Sequence, residues 1–325
     1  MKKISTHIYI VLGLFLALFI VGSFLDLQIS EAIFSRDNTF GLIISVLGTI
    51  PGYGLLAIIG GAMFSLVIYK KEKYKIFVQI IFWILTIACL GLSIYFSGRE
   101  FFGPNGFVGT APRWVGYLII LPVAAALFYL GFRMGKNSEN DRLWLLLVIM
   151  MIAIFLALIP GVTMLKAIFH RPRYRLITWS EVQGTGLLDF QPWWERCKDY
   201  NDLIKTFKTH KPNPITLNGA EITSEEFKSF PSGHGGASAI FMLGALVLPL
   251  VNKKYEKYQI PVFYCGLAWC LLVCFVRILV GAHFLSDVSM GSLLSIIFIL
   301  VAYFVIYKTK WFASYLNEET GLEEN

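Results

Sequence analysis

Three short stretches of the chain place ionisable residues at the ends of apolar runs, and each has chemistry of its own. The first, Lys166-Ala-Ile-Phe-His170-Arg171-Pro172-Arg173-Tyr174-Arg175, gathers five potential cations. A snorkelling basic end would explain one or two of them, whereas five together point to an anionic ligand. The second is Phe230-Pro231-Ser232-Gly233-His234-Gly235-Gly236. Proline suits the start of a helix, and the serine and glycines let an anion approach free backbone N–H groups at the positive end of the helix dipole. The tetrapeptide reads as a phosphate cradle carrying a histidine, or equally as an N-cap followed by a small-residue packing surface. In the third, Arg277-Ile-Leu-Val-Gly-Ala-His283-Phe-Leu-Ser-Asp287, His283 and Asp287 are four apart. On a helix they share a face, so the carboxylate accepts a proton from one imidazole nitrogen and leaves the other as a nucleophile. A structural hydrogen bond has the same spacing, but Arg277 six residues upstream favours chemistry.

These stretches need elements to carry them, and composition says which kind. The 325 residues are 56% hydrophobic and only 15% charged, with a mean hydropathy of +0.66. Soluble domains run at roughly 45–50% apolar and about 25% charged, so a water-soluble globular protein is excluded and a polytopic membrane protein is expected. The net charge of +7 lies in short clusters between apolar runs, which reads as orientation in the membrane rather than nucleic-acid binding. Cys89, Cys197, Cys265, Cys270 and Cys274 are odd in number and read as small core residues, not as a disulfide or zinc framework.

Apolar runs of about 20 residues, the length that crosses roughly 30 Å of hydrocarbon, recur around 8–27, 41–69, 76–97, 114–132, 143–165, 236–251, 259–280 and 288–307. The expected fold is all-α, a bundle of about eight transmembrane helices. The first run, after Met1-Lys2-Lys3, is too long for a signal peptide and reads as an uncleaved span. The 41–69 run is the least regular, because Gly48, Pro51, Gly52, Gly54, Gly60 and Gly61 permit a kink or a re-entrant turn.

Every second loop is basic: Lys2 and Lys3; Lys70, Lys71, Lys73 and Lys75; Arg133, Lys136 and Arg142; Lys253, Lys254 and Lys257; Lys308 and Lys310. That alternation predicts both termini inside, with the 28–40, 98–113, 170–232 and 281–287 connections outside the cytoplasmic membrane. Residues 1–140 form N-terminal spans, 141–312 a second unit with an insertion over 174–230, and 313–325 an acidic cytoplasmic tail. The insertion is amphiphilic, and Trp179, Trp193 and Trp194 read as headgroup-level anchors in preference to substrate contacts.

Together the three stretches resemble the tripartite signature of the type 2 phosphatidic acid phosphatase (PAP2) superfamily: Lys, six residues, Arg-Pro; then Pro-Ser-Gly-His; then Ser-Arg, five residues, His, three residues, Asp. Lys166 and Arg173 keep the first spacing, Pro231 to His234 match the second, and Arg277, His283 and Asp287 keep the third. Tyr174 stands in place of the usual proline, Val276 in place of serine, and His170 where a small residue is common, as a supporting donor or an interfacial side chain.

The resemblance implies a six-helix PAP2-like core in which His283, oriented by Asp287, attacks phosphorus to form a phosphohistidine. His234 would protonate the leaving oxygen and then activate water, and Lys166, Arg173, Arg277, Ser232 and the Gly233 N–H would neutralise the phosphoryl oxygens. No carboxylate cluster suited to magnesium accompanies the motifs, so no metal or other cofactor is expected. A site at the membrane edge suits a lipid phosphate or pyrophosphate, with undecaprenyl pyrophosphate slightly ahead of phosphatidylglycerophosphate and phosphatidic acid. Expected partners are that substrate and membrane lipids, with no nucleic acid; the oligomeric state is not legible. Phosphotransfer to another lipid uses the same intermediate. A transporter fits less well, since transporters keep ionisable residues near the midplane. A binding protein without catalysis would not need His234, His283 and Asp287, and a haloperoxidase using the pocket for vanadate is disfavoured by membrane embedding.

Overall fold

The computed structural model describes residues 2–101, 114–210, 213–217 and 220–312. Residues 102–113 of the predicted third connection and the predicted 313–325 tail lie outside the described residues. Among those described, eight helices are long and apolar enough to cross a membrane: Ile4–Ile33, Thr39–Tyr69, Ile76–Phe101, Trp114–Lys136, Leu143–Ile177, Gly233–Val251, Lys253–Leu279 and Leu285–Lys308. They are called here the first to eighth spans. The bundle is all-α, apart from a two-residue antiparallel ladder, Thr216–Leu217 on Ala220–Glu221, inside the insertion.

The second span resolves the ambiguity of its glycines as a break rather than a reversal. One helix ends at Leu47 and the next begins at Ile50, with Pro51 in its first turn. A proline there cannot donate to the preceding turn, and two carbonyls at the break are taken up by side chains of other spans. His234 Nε2 donates to Ser45 O at 3.0 Å and Trp269 Nε1 to Gly48 O at 3.0 Å. The fifth span is interrupted too, by a π-helical turn over Ile159–Met164 that contains Pro160. It ends its last regular turn at His170, which takes left-handed backbone angles (φ 49°, ψ 38°) and lets Arg171 and Arg173 leave in different directions.

Close backbone approach joins the N-terminal spans to the rest. A Cβ on Gly52 would lie 1.7 Å from the Ala237 carbonyl of the sixth span, so only glycine fits that crossing. The basic loops meet at one end of the bundle: Lys70 Nζ donates to Ser138 O at 3.1 Å, Lys73 pairs with Asp141 at 2.7 Å, and Asn252 Nδ2 donates to Asn137 O at 3.0 Å. An even number of crossings with short connections requires this arrangement. The three motif stretches lie at the opposite end, on C-terminal ends of odd spans and N-terminal ends of even ones.

The insertion carries its own apolar cluster, including Leu176, Val182, Phe207, Ile222 and Phe227, which packs on Phe284. Two of its tryptophans have packing partners within the protein. Trp193 stacks on Phe230 at 5.2 Å and donates to Ser23 Oγ, while Trp179 lies under the Arg36 guanidinium at 3.7 Å; Trp194 alone of the three is exposed. The five cysteines are free, four of them buried and Cys265 exposed on the seventh span.

Candidate active site

The three motifs converge through backbone pairing before any side chain is considered. Arg173 N donates to Glu226 O at 2.9 Å and Ser229 N to Arg171 O at 3.0 Å, which ties the end of the fifth span to the approach to the sixth. Ser232 N donates to Asp287 O at 2.8 Å, tying the sixth span to the eighth. The turn after the seventh span relies on Gly281, at φ +64°, whose missing Cβ leaves room for Phe34 and for Arg175 N, a donor to the Gly281 carbonyl at 2.9 Å. The turn continues with His283 N donating to Arg277 O at 3.1 Å, which sets His283 beside Arg277.

These ties enclose a cavity of about 520 Å³, lined by Lys166, Arg173, Gly233, His234, Arg277 and His283 among others. Six of the eight expected site residues therefore meet at one surface. The other two, Ser232 and Asp287, are fully buried and do not line it. Ser232 caps the sixth span, its hydroxyl accepting from Gly235 N at 3.2 Å. Asp287 accepts from Arg171 Nη1 at 2.6 Å, from Ser229 Oγ at 2.5 Å and from Phe284 N at 2.8 Å.

The expected direct hydrogen bond from His283 to Asp287 is not made. His283 precedes the eighth-span helix, which starts at Leu285, so four-residue helical spacing does not apply to it. Its Nδ1 is 3.8 Å from Asp287 Oδ2 and 2.7 Å from the Ser229 carbonyl. A carbonyl oxygen only accepts, so Nδ1 carries the hydrogen, and in the neutral ring Nε2 keeps the lone pair. Burial, followed by the charges of Lys166, Arg277 and Arg173, holds the His283 imidazole well below its ordinary pKa, so the neutral ring is the resident form near pH 7. Asp287 reaches His283 through Ser229, whose hydroxyl it holds and whose carbonyl orients the ring.

Three cations face the histidines. Arg277 Nε and Nη1 and Arg173 Nη1 are buried without a hydrogen-bond partner among the described residues, and Lys166 Nζ donates once, to Lys228 O at 2.8 Å. Buried donors are nearly always satisfied, so these groups are arranged for an anion. The remaining charges are neutralised locally: Lys228 pairs with Glu225 at 2.5 Å, Arg99 with Glu100 at 3.3 Å, and Arg175 with Glu226 at 2.5 Å. Burial opposes charge on Glu226, but Arg175 and Arg173 outweigh it and keep the carboxyl below its ordinary range. No group of three or more His, Cys, Asp or Glu side chains suited to a metal occurs among the described residues.

Several residues of the site were not predicted. Arg171 is fully buried between two carboxylates, Asp287 and, at 2.9 Å, Asp26 of the first span, and its guanidinium lies 4.0 Å from the Phe284 ring. The second to fourth spans supply a whole wall of the cavity: Thr49, Tyr53, Tyr95, Arg99, Glu100 and Tyr117. An acidic residue, Asp26, at the end of the first apolar run and an Arg-Glu pair at the end of the third were the available signals. His170 stacks on Tyr200 at 4.0 Å and is an insertion contact, not a cavity residue. Tyr174 packs against Phe34 and Phe284, and Val276 is buried.

No curated protein and no solved structure matches the chain. The family model described as the PAP2 superfamily matches residues 142–311, from the fifth span through the eighth, and takes in every residue of the three motifs. The match spans just over half of the sequence and coincides with the convergence of those motifs on one cavity at one end of a multi-pass helical bundle. On the motifs, the cavity and the family match together, this multi-pass helical chain belongs to the PAP2 superfamily, a family that points to a phosphatase acting on phosphate esters.

Proposed function

We propose that the protein is a lipid phosphatase acting on a lipid phosphate or pyrophosphate through a phosphohistidine at His283. The observation that carries this reading is the set of unpartnered donors on Arg173 and Arg277 beside a neutral, Nδ1-anchored His283. A phosphoryl group bound there meets Lys166, Arg173, Arg277 and the Gly233 N–H, and electrostatic stabilisation with in-line positioning supplies most of the catalysis of such transfers.

The His283 Nε2 lone pair forms a bond to phosphorus as the bond to the leaving oxygen breaks, and that oxygen takes a proton from His234. Water then attacks the phosphohistidine, giving a proton to His234, and the P–N electron pair returns to Nε2. Asp287 and Ser229 act as positioning residues. The three cations do the work that magnesium does in other phosphoryl-transfer sites, so turnover proceeds without a metal.

The site lies at the end of the bundle away from the basic loops, and the positive-inside bias supports an extracytoplasmic position at the cytoplasmic membrane. Candidate substrates are undecaprenyl pyrophosphate, phosphatidylglycerophosphate and phosphatidic acid. The test is phosphate release by detergent-purified protein with EDTA present, from the three substrates in parallel, with His283→Ala as the blank. Release that vanishes in the variant supports the reading. No release from any of the three overturns it.

A further inference from the structure

The cavity wall holds two carboxylates that the phosphoryl chemistry does not use, Glu225, which is taken up by Lys228 at 2.5 Å, and Glu100. A carboxylate repels phosphate, so its place in a phosphate site calls for another role. Glu100 lies outside the family-matched residues, at the end of the third span, with Oε2 3.4 Å from His234 Nε2. The same nitrogen donates to Ser45 O at 3.0 Å, from the break in the second span. Two acceptors from two N-terminal spans therefore converge on one ring nitrogen, while Arg277, Lys166, Arg173 and His283 of the family core line the same cavity as the ring. Arg99 shares the Glu100 carboxylate at 3.3 Å and holds it in place.

We infer that Glu100 is a positioning residue for proton transfer to the leaving group: it fixes the His234 ring by its Nε2–H and balances the positive ring when Nδ1 also carries a proton. Nδ1 is then the nitrogen that gives a proton to the departing oxygen and takes one from water. The N-terminal spans thereby complete the acid–base half of a site whose nucleophilic half lies in the family core. This inference rests on the phosphatase reading above.

Leaving groups of different basicity test it. An alkoxide needs its proton in the transition state, whereas the nitrophenolate of p-nitrophenyl phosphate departs without one. The comparison uses kcat/KM, which for both substrates reports only the steps through formation of the phosphoenzyme. General acid–base catalysis contributes about 10²- to 10⁴-fold. Glu100→Gln should thus lose roughly 10- to 100-fold on phosphatidic acid, with less than about threefold lost on p-nitrophenyl phosphate. Glu100→Asp should recover much of the selective loss. Equal losses on both substrates, or no loss on either, overturn the inference while leaving the phosphatase reading intact. Wild-type protein that is inactive on every lipid and on the aryl ester overturns both.

Discussion

Replacing Arg171 with Met should cost more stability than any other single change near the site that leaves the cavity lining untouched. Arg171 is fully buried, as is Asp287, and Asp26 is only 3% exposed. Nη1 and Nη2 divide between the two carboxylates, Nη1 also reaches Ser286 Oγ at 3.0 Å, and Nε donates to Gln191 O at 2.9 Å. Methionine fills much of the volume but leaves two buried carboxylates without their cation. Removing one partner of a buried ion pair costs about 3–5 kcal/mol, and one carboxyl can limit the loss by taking up a proton. At about 2–4 °C per kcal/mol for large domains, the thermal midpoint in detergent should fall by roughly 10 °C.

The coupling is specific. Asp26→Asn alone should cost less, because Arg171 keeps Asp287. The double variant Arg171→Met with Asp26→Asn should recover part of the loss, because only one buried carboxylate then remains unpaired. Activity should fall with stability, since Asp287 also holds the Ser229 hydroxyl whose residue orients His283. A midpoint lowered by less than about 2 °C in Arg171→Met, or strictly additive effects in the double variant, would refute the reasoning.

Three further outcomes are expected. Stability should fall as pH is lowered through about 6.5, because the buried His283 ring resists the proton that the unfolded chain accepts; unfolded protein then binds more protons and gains on the folded state. Glu226, held below its ordinary range, adds a second loss as pH falls from that ordinary range, where the unfolded chain takes up the proton, down through the lower folded-state value. A thermal midpoint flat from pH 7.5 to pH 5 would contradict the first of these. Gly52→Leu should separate the N-terminal spans from the sixth span, where even a Cβ meets the Ala237 carbonyl at 1.7 Å, and lower activity at least tenfold; wild-type turnover in that variant would show the contact to be dispensable. A cysteine replacing exposed Asp202 should react with an impermeant maleimide on intact cells and one replacing Lys71 should not, and the reverse pattern would invert the proposed topology.

The eight spans and the motif residues were legible because both are local signals. Hydropathy over about 20 residues marks each crossing, and Lys166, Arg173, His234, Arg277 and His283 sit at spacings that survive into the cavity. The partners of those residues were not legible. Asp26 meets Ser286 and Arg171 across 260 and 145 positions, and Glu100 meets His234 from a span outside the motifs, so no window along the chain relates them. The expected His283–Asp287 bond failed for a local reason: a turn held by Gly281 keeps His283 off the helix that Asp287 belongs to. Ser232 shows the two readings of the second motif meeting, since the residue that looks like a phosphate ligand spends its hydroxyl oxygen on the helix cap while Gly233 and His234 face the cavity.

The most direct measurement of phosphoryl transfer through His283 is rapid acid-free quenching of the purified protein with ³²P-labelled lipid phosphate in EDTA. Wild-type protein should carry label that survives alkali and is lost in acid, as a phosphohistidine does, and His283→Ala should carry none. Label retained in His283→Ala, or steady turnover with no labelled protein at any quench time, would contradict it.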